Sequence, residues 1–236
     1  MRHPGAPQHI GIVACSAEGA ALCYRTICAE GPQRLGAYVH PELSLHAHSL
    51  ADYLHCLERG DLAGVAALML ASAHKLRGAG AQFLVCPDNT IHQAMHLVLP
   101  RSPLPWLHIA EVVAEAATAR GFRRLGLTGT RWLVDSEVYP RALQARGLQC
   151  VRPAPADRDA THRIIMDELV AGVVAPTSVA ALQAVIGRLQ VAGCDAVVLG
   201  CTELPLALDD RRSPLPTLDS TRLLARAALR AAIGGS

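Results

Sequence analysis

The sequence predicts an α/β protein built from two pseudo-symmetric halves, each a three-layer αβα arrangement around a parallel sheet. Two observations support this expectation. Short apolar runs rich in β-branched residues alternate with stretches of helical periodicity, which is the pattern of parallel strands joined by helices. Segments of the first half also recur in the second half, in the same order and at nearly constant spacing.

The recurring segments form three pairs. The pairs are HIGIV at 9 with RLGLT at 124, GAQFLVCPDNT at 80 with GCDAVVLGCTE at 193, and RSPLPWL at 101 with RSPLPTL at 212, at offsets of 115, 113 and 111 residues. Three matches in one order indicate an internal duplication, which makes Asp88 and Cys201 equivalent positions. We therefore expect one half over residues 1–108, completed by a last helix within 220–236, and the other half over 109–219. An active site in the cleft between the halves would have Asp88 and Cys201 facing each other.

Local patterns predict the individual elements. Apolar runs predict strands at 9–15, 35–46, 103–109, 124–128, 148–152 and 194–198, with a further strand ending at Cys86. Apolar periodicity predicts helices at 20–29, 51–59, 62–78, 90–99, 110–120, 131–146, 160–171 and 177–191 and after Leu218. Pro41 interrupts the second strand. Gly121 ends the helix predicted at 110–120, and we expect Pro140 to break the helix predicted at 131–146.

Composition argues against several functional classes. The formal net charge of +2 and the aromatic content of 3% give no sign of a nucleic-acid partner. No apolar run approaches the ~20 residues of a membrane span, and no signal peptide is visible. Eight cysteines are scattered without a CxxC pair, which indicates neither a disulfide framework nor a zinc site. We expect a cytoplasmic protein whose thiols are reduced and mostly buried.

Polar residues follow the predicted strands at their carboxyl ends, where open α/β sheets bind their ligands. Cys201 comes directly after the strand-ending Gly200, and a thiol there either acts as a base or nucleophile or is a buried structural cysteine. Ser16 and Thr130 occupy matching turns, and each either binds a ligand or caps the next helix. The same two interpretations apply to Asp88.

The segments GIVACSAEG, CPDNTIH, LTGTRW and LGCTELPL, in this order, resemble the aspartate/glutamate racemase superfamily of cofactor-independent amino-acid racemases. The resemblance covers most of the chain, and LGCTEL is its most specific motif. It implies two pseudo-symmetric α/β domains with a cleft between them and no cofactor. It also implies a small-molecule carboxylate or amino acid as the substrate. The sequence carries neither a GxGxxG nor a P-loop, and we expect no metal and no pyridoxal phosphate.

The resemblance further implies a pair of acid/base residues at the two equivalent turns. Typical members have a cysteine at each turn, and one removes the α-proton while the other returns it on the opposite face. The second cysteine corresponds to Cys201, whereas the first position is occupied by Asp88 in this sequence. Cys86, two residues upstream, is an alternative thiol that strand alternation points to the same side, about 6–7 Å deeper.

The resemblance also suggests which residues bind the substrate. The branch that acts on aspartate and glutamate has a histidine-serine loop after the second strand, which corresponds here to His48, and relatives have a basic residue where Arg163 stands. The loop after the second strand lacks the arginine that members acting on aspartate commonly have there. The candidate substrate-binding residues are Ser16, His48, Asn89, Thr90, Thr130, Arg163 and Thr202.

These features predict a cofactor-independent racemase or epimerase of an aspartate- or glutamate-like amino acid, with two-base transfer of the α-proton. An alternative is a single-cysteine decarboxylase or isomerase resembling arylmalonate decarboxylase, in which Cys201 alone supplies a proton. A binding protein without catalysis is a third possibility, against which the retained Cys201, Thr202 and Glu203 argue. We expect a homodimer without nucleic-acid or membrane partners.

Overall fold

The chain is described here by a computed structural model that covers residues 6–234. Among these residues, those of Met1–Ile109 and Thr221–Ser236 form one compact unit, and those of Ala110–Ser220 form a second. Residues 1–5 and 235–236, which the sequence analysis assigned to the ends of the first half, lie outside the described residues. Within residues 6–234, no helix is both long and apolar enough to cross a membrane.

The first unit contains a four-stranded, all-parallel sheet with the strand order β2-β1-β3-β4. Its strands are β1 (Ile10–Ala14), β2 (Leu43–Ala47), β3 (Phe83–Val85) and β4 (Trp106–Leu107). The helices within Met1–Ile109 are α1 (Ala17–Glu30), α2 (Pro32–Leu35), α3 (Leu50–Glu58), α4 (Leu62–Gly78) and α5 (Met95–Val98), and α5 is preceded by a 3₁₀ turn over Thr90–Ala94. The apolar strands β1 and β3 are buried throughout, as the sequence pattern predicts for central parallel strands.

The second unit repeats this architecture with the strand order β6-β5-β7-β8, again all parallel. Its strands are β5 (Arg124–Thr128), β6 (Gln149–Val151), β7 (Ala196–Leu199) and β8 (Thr217–Asp219). Its helices are α6 (Ile109–Ala119), α7 (Arg131–Val134), α8 (Val138–Gln144), α9 (Pro155–Asp167), α10 (Pro176–Val191) and α11 (Leu204–Ala207). A 3₁₀ turn over Leu169–Ala171 follows α9.

Strand register confirms the internal duplication. Ile10 pairs with Phe83 in the first sheet, and Leu125 pairs with Ala196 in the second. The next pairing repeats as well, because Leu84–Trp106 corresponds to Val197–Thr217. Residue numbers at equivalent positions of β1 and β5 differ by 115, those of β3 and β7 by 113, and those of β4 and β8 by 111. The repeated sequence segments are separated by the same numbers of residues. Asp88 and Cys201 therefore occupy equivalent positions, each three residues after the equivalent strand positions Val85 and Val198.

The two units also pack a helix against the central strand in the same way. A Cβ atom added at Gly11 of β1 would lie 3.3 Å from the Cβ of Leu76 in α4 and 2.6 Å from Cδ2 of Leu84 in the neighbouring β3. The equivalent Gly126 of β5 faces Leu189 of α10, whose Cδ1 would lie 2.8 Å from a new Cβ. Both strands therefore need a glycine where a helix approaches the sheet closely.

Two local predictions were wrong. The helix over 131–146 does not break at Pro140, because this proline is the third residue of α8, where its missing N–H has no intrahelical acceptor. The break comes earlier, between α7 and α8, where Arg152 donates hydrogen bonds of 2.7 Å to the carbonyl oxygens of Val134 and Ser136. The second strand begins only at Leu43, because Leu35 of its predicted span ends α2 and residues 37–38 form a turn.

The last helix, α12 (Ser220–Ala232), contributes Thr221–Ala232 to the first unit. Arg226 of α12 makes a bidentate ion pair with Glu30 of α1, with N–O distances of 2.8 to 3.0 Å. The backbone N–H of Gln8 donates to the Ala232 carbonyl at 2.7 Å. Leu224 and Ala228, on the inward face of α12, are fully buried. A helix from the end of the chain is thus part of the core of the first unit.

Candidate active site

Polar turns follow three adjacent strands of the first sheet at the same edge, since the strands are parallel. Ser16 follows β1, His48 follows β2, and the segment Asp88–Thr90 follows β3. The Ser16 hydroxyl accepts a hydrogen bond from the Gly19 N–H at 3.2 Å and caps α1. The structure therefore brings the predicted residues of this half to one sheet edge, as the topology requires.

Asp88 is half-buried and is held by the turn that it starts. Its Oδ1 accepts a hydrogen bond from the Ile91 N–H at 3.1 Å, in the first turn of the 3₁₀ segment over Thr90–Ala94, whose cap residue is Asn89. The adjacent Asn89 and Thr90 are 2% and 8% exposed. Asp88 thus holds the start of this turn from the residue before the cap position, and the Asn89 side chain makes no capping hydrogen bond.

His92 fixes the backbone of Asp88 from one turn further along. Its Nδ1 lies 2.6 Å from the Asp88 carbonyl oxygen, and its Nε2 lies 3.4 Å from the Ile109 backbone nitrogen. The Ile109 N–H donates, so Nε2 has no proton and Nδ1 is the donor to Asp88. Burial, with a smaller contribution from His108, lowers the pKa of His92 well below its usual value. The ring is therefore neutral, and this tautomer holds Asp88 in place.

Cys86 lies behind Asp88 and is fully buried. Its Sγ is 3.9 Å from the Asp88 carbonyl oxygen, to which the thiol donates. Burial, followed by the negative charge of Asp88, raises the pKa of the Cys86 thiol well above its usual value. A thiol that stays protonated is a poor base. This environment favours Asp88 over Cys86 as the acid/base group of the first half.

The histidines at the end of β2 form a small cluster. His46 lies in β2, with its Nδ1 2.9 Å from Ser72 Oγ and its Nε2 2.9 Å from Lys75 Nζ. The half-buried His48 packs its ring edge-to-face against His46, with the ring centroids 4.9 Å apart. Among the residues that the structure describes, none forms a hydrogen bond with the buried Nε2 of His48. That nitrogen therefore has hydrogen-bonding capacity for a ligand.

The second sheet places Thr130 after β5, and Cys201 and Thr202 after β7. The Thr130 hydroxyl accepts from the Leu133 N–H at 3.4 Å and caps α7, as Ser16 caps α1. The turn at Thr130 contacts α9 through His162, whose Nδ1 accepts from the Arg131 N–H at 3.4 Å. Arg163 is exposed on α9, and its role in substrate binding stays a prediction.

Cys201 is half-buried and contacts a carboxylate. Its Sγ lies 2.9 Å from Oε2 of Glu203, and the Thr202 hydroxyl donates to the same oxygen at 2.7 Å. Glu203 is only 3% exposed and Thr202 only 4%. The ionisable side chain that this contact places beside the thiol is the carboxyl group of Glu203.

Gly200, before Cys201, lies where the ends of β5 and β7 approach each other closely. Its φ lies outside the positive range that favours glycine, so no left-handed turn conformation requires a glycine here. A Cβ at Gly200 would lie 2.6 Å from the Thr128 carbonyl oxygen and 2.6 Å from Leu133 Cδ2. The glycine thus allows the end of β7 to approach the end of β5, where the Gly200 N–H donates to Thr128 O at 2.9 Å.

Sequence reasoning missed three residues of these turns: His92, His162 and Glu203. His92 follows Asp88 by four residues, and that spacing on a predicted helix was a usable signal. His162 is the neighbour of the predicted Arg163, and nothing in the sequence indicates which of the two meets the turn at Thr130. Glu203 was noted as part of the motif, but its contact with Cys201 depends on side-chain direction. Within residues 6–234, no group of three or more His, Cys, Asp or Glu side chains is arranged to hold a metal ion.

Comparison with known proteins gives one family. The family model described as Asp/Glu/hydantoin racemase matches residues 12–228. A solved structure from Yersinia pestis, described as an Asp/Glu racemase, is 29% identical and superposes with a TM-score of 0.87 over 96% of this chain and 99% of its own. An aspartate racemase homologue from Pyrococcus horikoshii OT3 is 26% identical, with a TM-score of 0.81 over 95% of this chain and 99% of its own.

A functionally named relative was also found. The broad-specificity amino-acid racemase RacX of Bacillus subtilis is 24% identical over 164 residues, which is 68% of this chain and 69% of RacX. The structural matches extend over both units and agree with the α/β architecture of two similar halves.

Proposed function

Since the chain belongs to the Asp/Glu/hydantoin racemase family, we propose that it interconverts the enantiomers of an amino acid by moving the α-proton between Asp88 and Cys201. The chain is an amino-acid racemase, an isomerase, by its family and its relatives. The two-base assignment rests on one observation. The duplicated strands β3 and β7 lead to Asp88 and Cys201 at equivalent positions of the two halves.

Racemisation requires a base on one face of the α-carbon and an acid on the other. In the proposed reaction, the Cys201 thiolate removes the α-proton of one enantiomer, and the protonated carboxyl of Asp88 delivers a proton to the opposite face. The other enantiomer reacts in reverse. Between the two proton transfers, the electron pair of the broken C–H bond is delocalised into the substrate carboxylate. The proposal requires both side chains to reach opposite faces of one α-carbon, and it uses no cofactor.

Polar groups beside the two bases provide the substrate contacts. Hydroxyl and amide groups at strand ends suit the substrate carboxylate, because oxyanions are stabilised by fixed hydrogen-bond donors. We assign this role to Ser16, Asn89, Thr90, Thr130 and Thr202. His48, whose Nε2 accepts no described hydrogen bond, and Arg163 are proposed to contact the rest of an aspartate- or glutamate-like substrate. The active enzyme is proposed to be a homodimer.

Exchange of the α-proton in deuterated water tests the proposal. Purified protein is incubated with each enantiomer of aspartate, glutamate and a set of neutral amino acids. Proton NMR follows loss of the α-proton signal, and chiral chromatography follows formation of the other enantiomer. Wild-type protein should do both with at least one amino acid. Release of carbon dioxide from a substituted malonate without any exchange would instead favour the single-cysteine decarboxylase.

Asp88→Asn and Cys201→Ser separate the two bases. Asp88→Asn keeps the shape and an acceptor oxygen for the Ile91 N–H but removes the titrating group, so racemisation should stop while Cys201 still exchanges the α-proton of one enantiomer. Asp61→Asn is the matched control, because Asp61 caps α4 through a 2.8 Å hydrogen bond from the Gly64 N–H. Cys201→Ser should lose most turnover, since a serine hydroxyl is a far weaker base than a thiolate. If Asp88→Asn racemises its substrate as fast as Asp61→Asn, Asp88 is not one of the two bases and has only a structural role.

A further inference from the structure

The strand β2 lies at one end of the first sheet and has an open outer edge. Its five residues, Leu43–Ala47, pair with β1 alone among the described strands. Backbone N–H and C=O groups on the other side of the strand therefore point away from the sheet. Such an edge can pair with a strand of another chain unless charges, a proline or a covering segment prevent it. The strand itself, LSLHA, contains no proline, lysine, arginine or carboxylate.

The equivalent edge of the second unit is protected. By the duplication, β6 takes the place of β2 beside the central strand. β6 has only three residues, and Arg124 of β5 donates a hydrogen bond of 2.7 Å to its Gln149 side chain. Arg152 follows the strand directly. Short length and nearby charge are usual devices against edge-to-edge pairing. The same architecture thus forms with a protected edge, and the longer, uncharged edge is a property of β2.

One face of β2 and the segment that leads into it expose apolar surface. Leu45 is 47% exposed, and Ala47, on the same face, is exposed as well. Tyr38, before the strand, is 95% exposed and has a φ of 67°, which makes it the one non-glycine residue with positive φ among those described. Strained backbone persists mostly at functional positions, and tyrosine is enriched among interface anchors. Tyr38 is therefore suited to contact a partner.

The opposite face of β2 has charges of opposite sign at its two ends. Glu42, just before the strand, lies 3.6 Å from His9 and keeps 61% of its side chain in solvent. Near the other end, the Lys75 ammonium of α4 lies 2.9 Å from Nε2 of His46, and His48 follows the strand. Residues 42, 46 and 48 share a face because side chains alternate along a strand. The edge is thus acidic at its amino end and basic at its carboxyl end.

Building on the proposed homodimer, we propose that β2 pairs antiparallel with β2 of a second copy of this chain, so that the two sheets join into one. A two-fold axis at Leu45 pairs all five residues of each strand and makes the pairing antiparallel. Leu45 then faces Leu45 of the second copy, and Leu43 faces Ala47. Glu42 of each copy faces His48 of the other, with Lys75 close by.

The charges select this arrangement over a parallel one. In-register parallel pairing would bring Glu42 against Glu42 and Lys75 near Lys75, and like charges directly opposite each other destabilise a strand pair. Antiparallel pairing places each acidic end against a basic end, which favours association and fixes the register. It also brings a carboxylate of the second copy beside His48, one of the proposed substrate-binding residues.

Sedimentation velocity over a range of protein concentrations tests the interface. Wild-type protein should sediment as a dimer at micromolar concentration. Leu45→Arg sets two like charges against each other on the two-fold axis, so the dimer Kd should rise by about 10²-fold or more. Val191→Arg is the matched control, because Val191 in α10 is also an exposed apolar residue, at 90%, and lies outside β2 and its flanking segment. This variant should keep the wild-type Kd.

Exchange of the charges separates an interface from a folding defect. Glu42→Lys should weaken the dimer, because it brings the new lysine against His48 and Lys75 of the second copy. Adding Lys75→Glu should restore the dimer, since opposite charges then meet again. Tyr38→Gly suits the positive φ but removes the ring, so it should weaken the dimer. A Tyr38→Gly protein that gains stability and dimerises like the wild type would show that Tyr38 makes no contact with the second copy.

The possible failures are distinguishable. A monomeric wild-type protein would overturn this interface together with the proposed homodimer. A dimer that Leu45→Arg and Glu42→Lys leave intact would overturn this interface alone, because the two copies then meet elsewhere. Glu42→Lys changes an exposed side chain, so its result stands even if Leu45→Arg fails to fold. If the protein dimerises through β2 while no amino acid exchanges its α-proton, the proposed reaction fails and the interface remains.

Discussion

Replacing Gly200 with alanine places one methyl group at the contact between the ends of β5 and β7. The new Cβ would lie 2.6 Å from the Thr128 carbonyl oxygen and 2.6 Å from Leu133 Cδ2. Leu133 is a side chain and can adjust by rotation. The Thr128 oxygen belongs to the backbone of a central strand and already accepts the Gly200 N–H at 2.9 Å. The backbone at residue 200 must therefore move to relieve the contact.

The size of the effect follows from that contact. A separation of 2.6 Å is shorter than carbon and oxygen atoms tolerate, and inserting a methylene into a tightly packed place typically costs 1–3 kcal/mol, so we expect a loss of about 2 kcal/mol. Cys201 is the next residue, and its Sγ would shift relative to Glu203. We expect turnover to fall by more than the stability loss alone would produce, because misplacing a reacting group by about 1 Å can cost ~10²-fold.

Gly187→Ala is the matched control in the same unit. A Cβ at this position of α10 would meet none of the described atoms within 4 Å. Alanine is the better helix former, so this variant should gain up to about 1 kcal/mol and keep full turnover. Urea unfolding of both variants and initial racemisation rates give the comparison. A Gly200→Ala protein as stable and active as Gly187→Ala would refute the steric reasoning.

Three further outcomes are expected. Turnover should survive dialysis against EDTA, and restoration of lost activity by one metal would contradict the cofactor-free reaction. His92→Leu should lower kcat and destabilise the protein by about 2 kcal/mol, because it leaves the Asp88 carbonyl and the Ile109 N–H without their histidine partner. His92→Asn should keep more of the kcat and of the stability, because its amide is an alternative donor. Burial lowers the pKa values of His46, His92 and His162, so the unfolded chain binds more protons than the folded one. Their stability contribution is complete above about pH 6.5 and is lost as the pH falls toward the lowered pKa values, with a slope for a fully buried histidine of about 1 kcal/mol per pH unit. Urea midpoints that are constant between pH 7.5 and 5.5 would contradict this.

The repeated segments made the topology predictable. The offsets of 115, 113 and 111 residues reappear as strand register, because a segment that keeps its apolar alternation keeps its pairing partners. Helix ends were less predictable. At Pro140 a breaker was expected, but a proline is tolerated in the first turn, and nothing local indicates that α8 starts at Val138.

Side-chain contacts within the turns were beyond the sequence. The motif around Cys201 was recognised, but whether Glu203 points to solvent or to the thiol depends on how α11 leaves the strand. The same limit applies to α9, where one residue decides that His162 rather than Arg163 meets the turn at Thr130. Turns fix such directions through packing with distant segments, and a single sequence does not show those partners.

The position of α12 affects the order in which the two units can fold during translation. Residues 110–220 form the second unit from one continuous stretch, whereas the first unit needs Thr221 onward for its core and for the ion pair between Arg226 and Glu30. Domains usually fold as units while synthesis proceeds. The part that is translated first must therefore wait for a helix made after the whole second unit, and the emerging chain carries its unfinished sheet until that helix arrives.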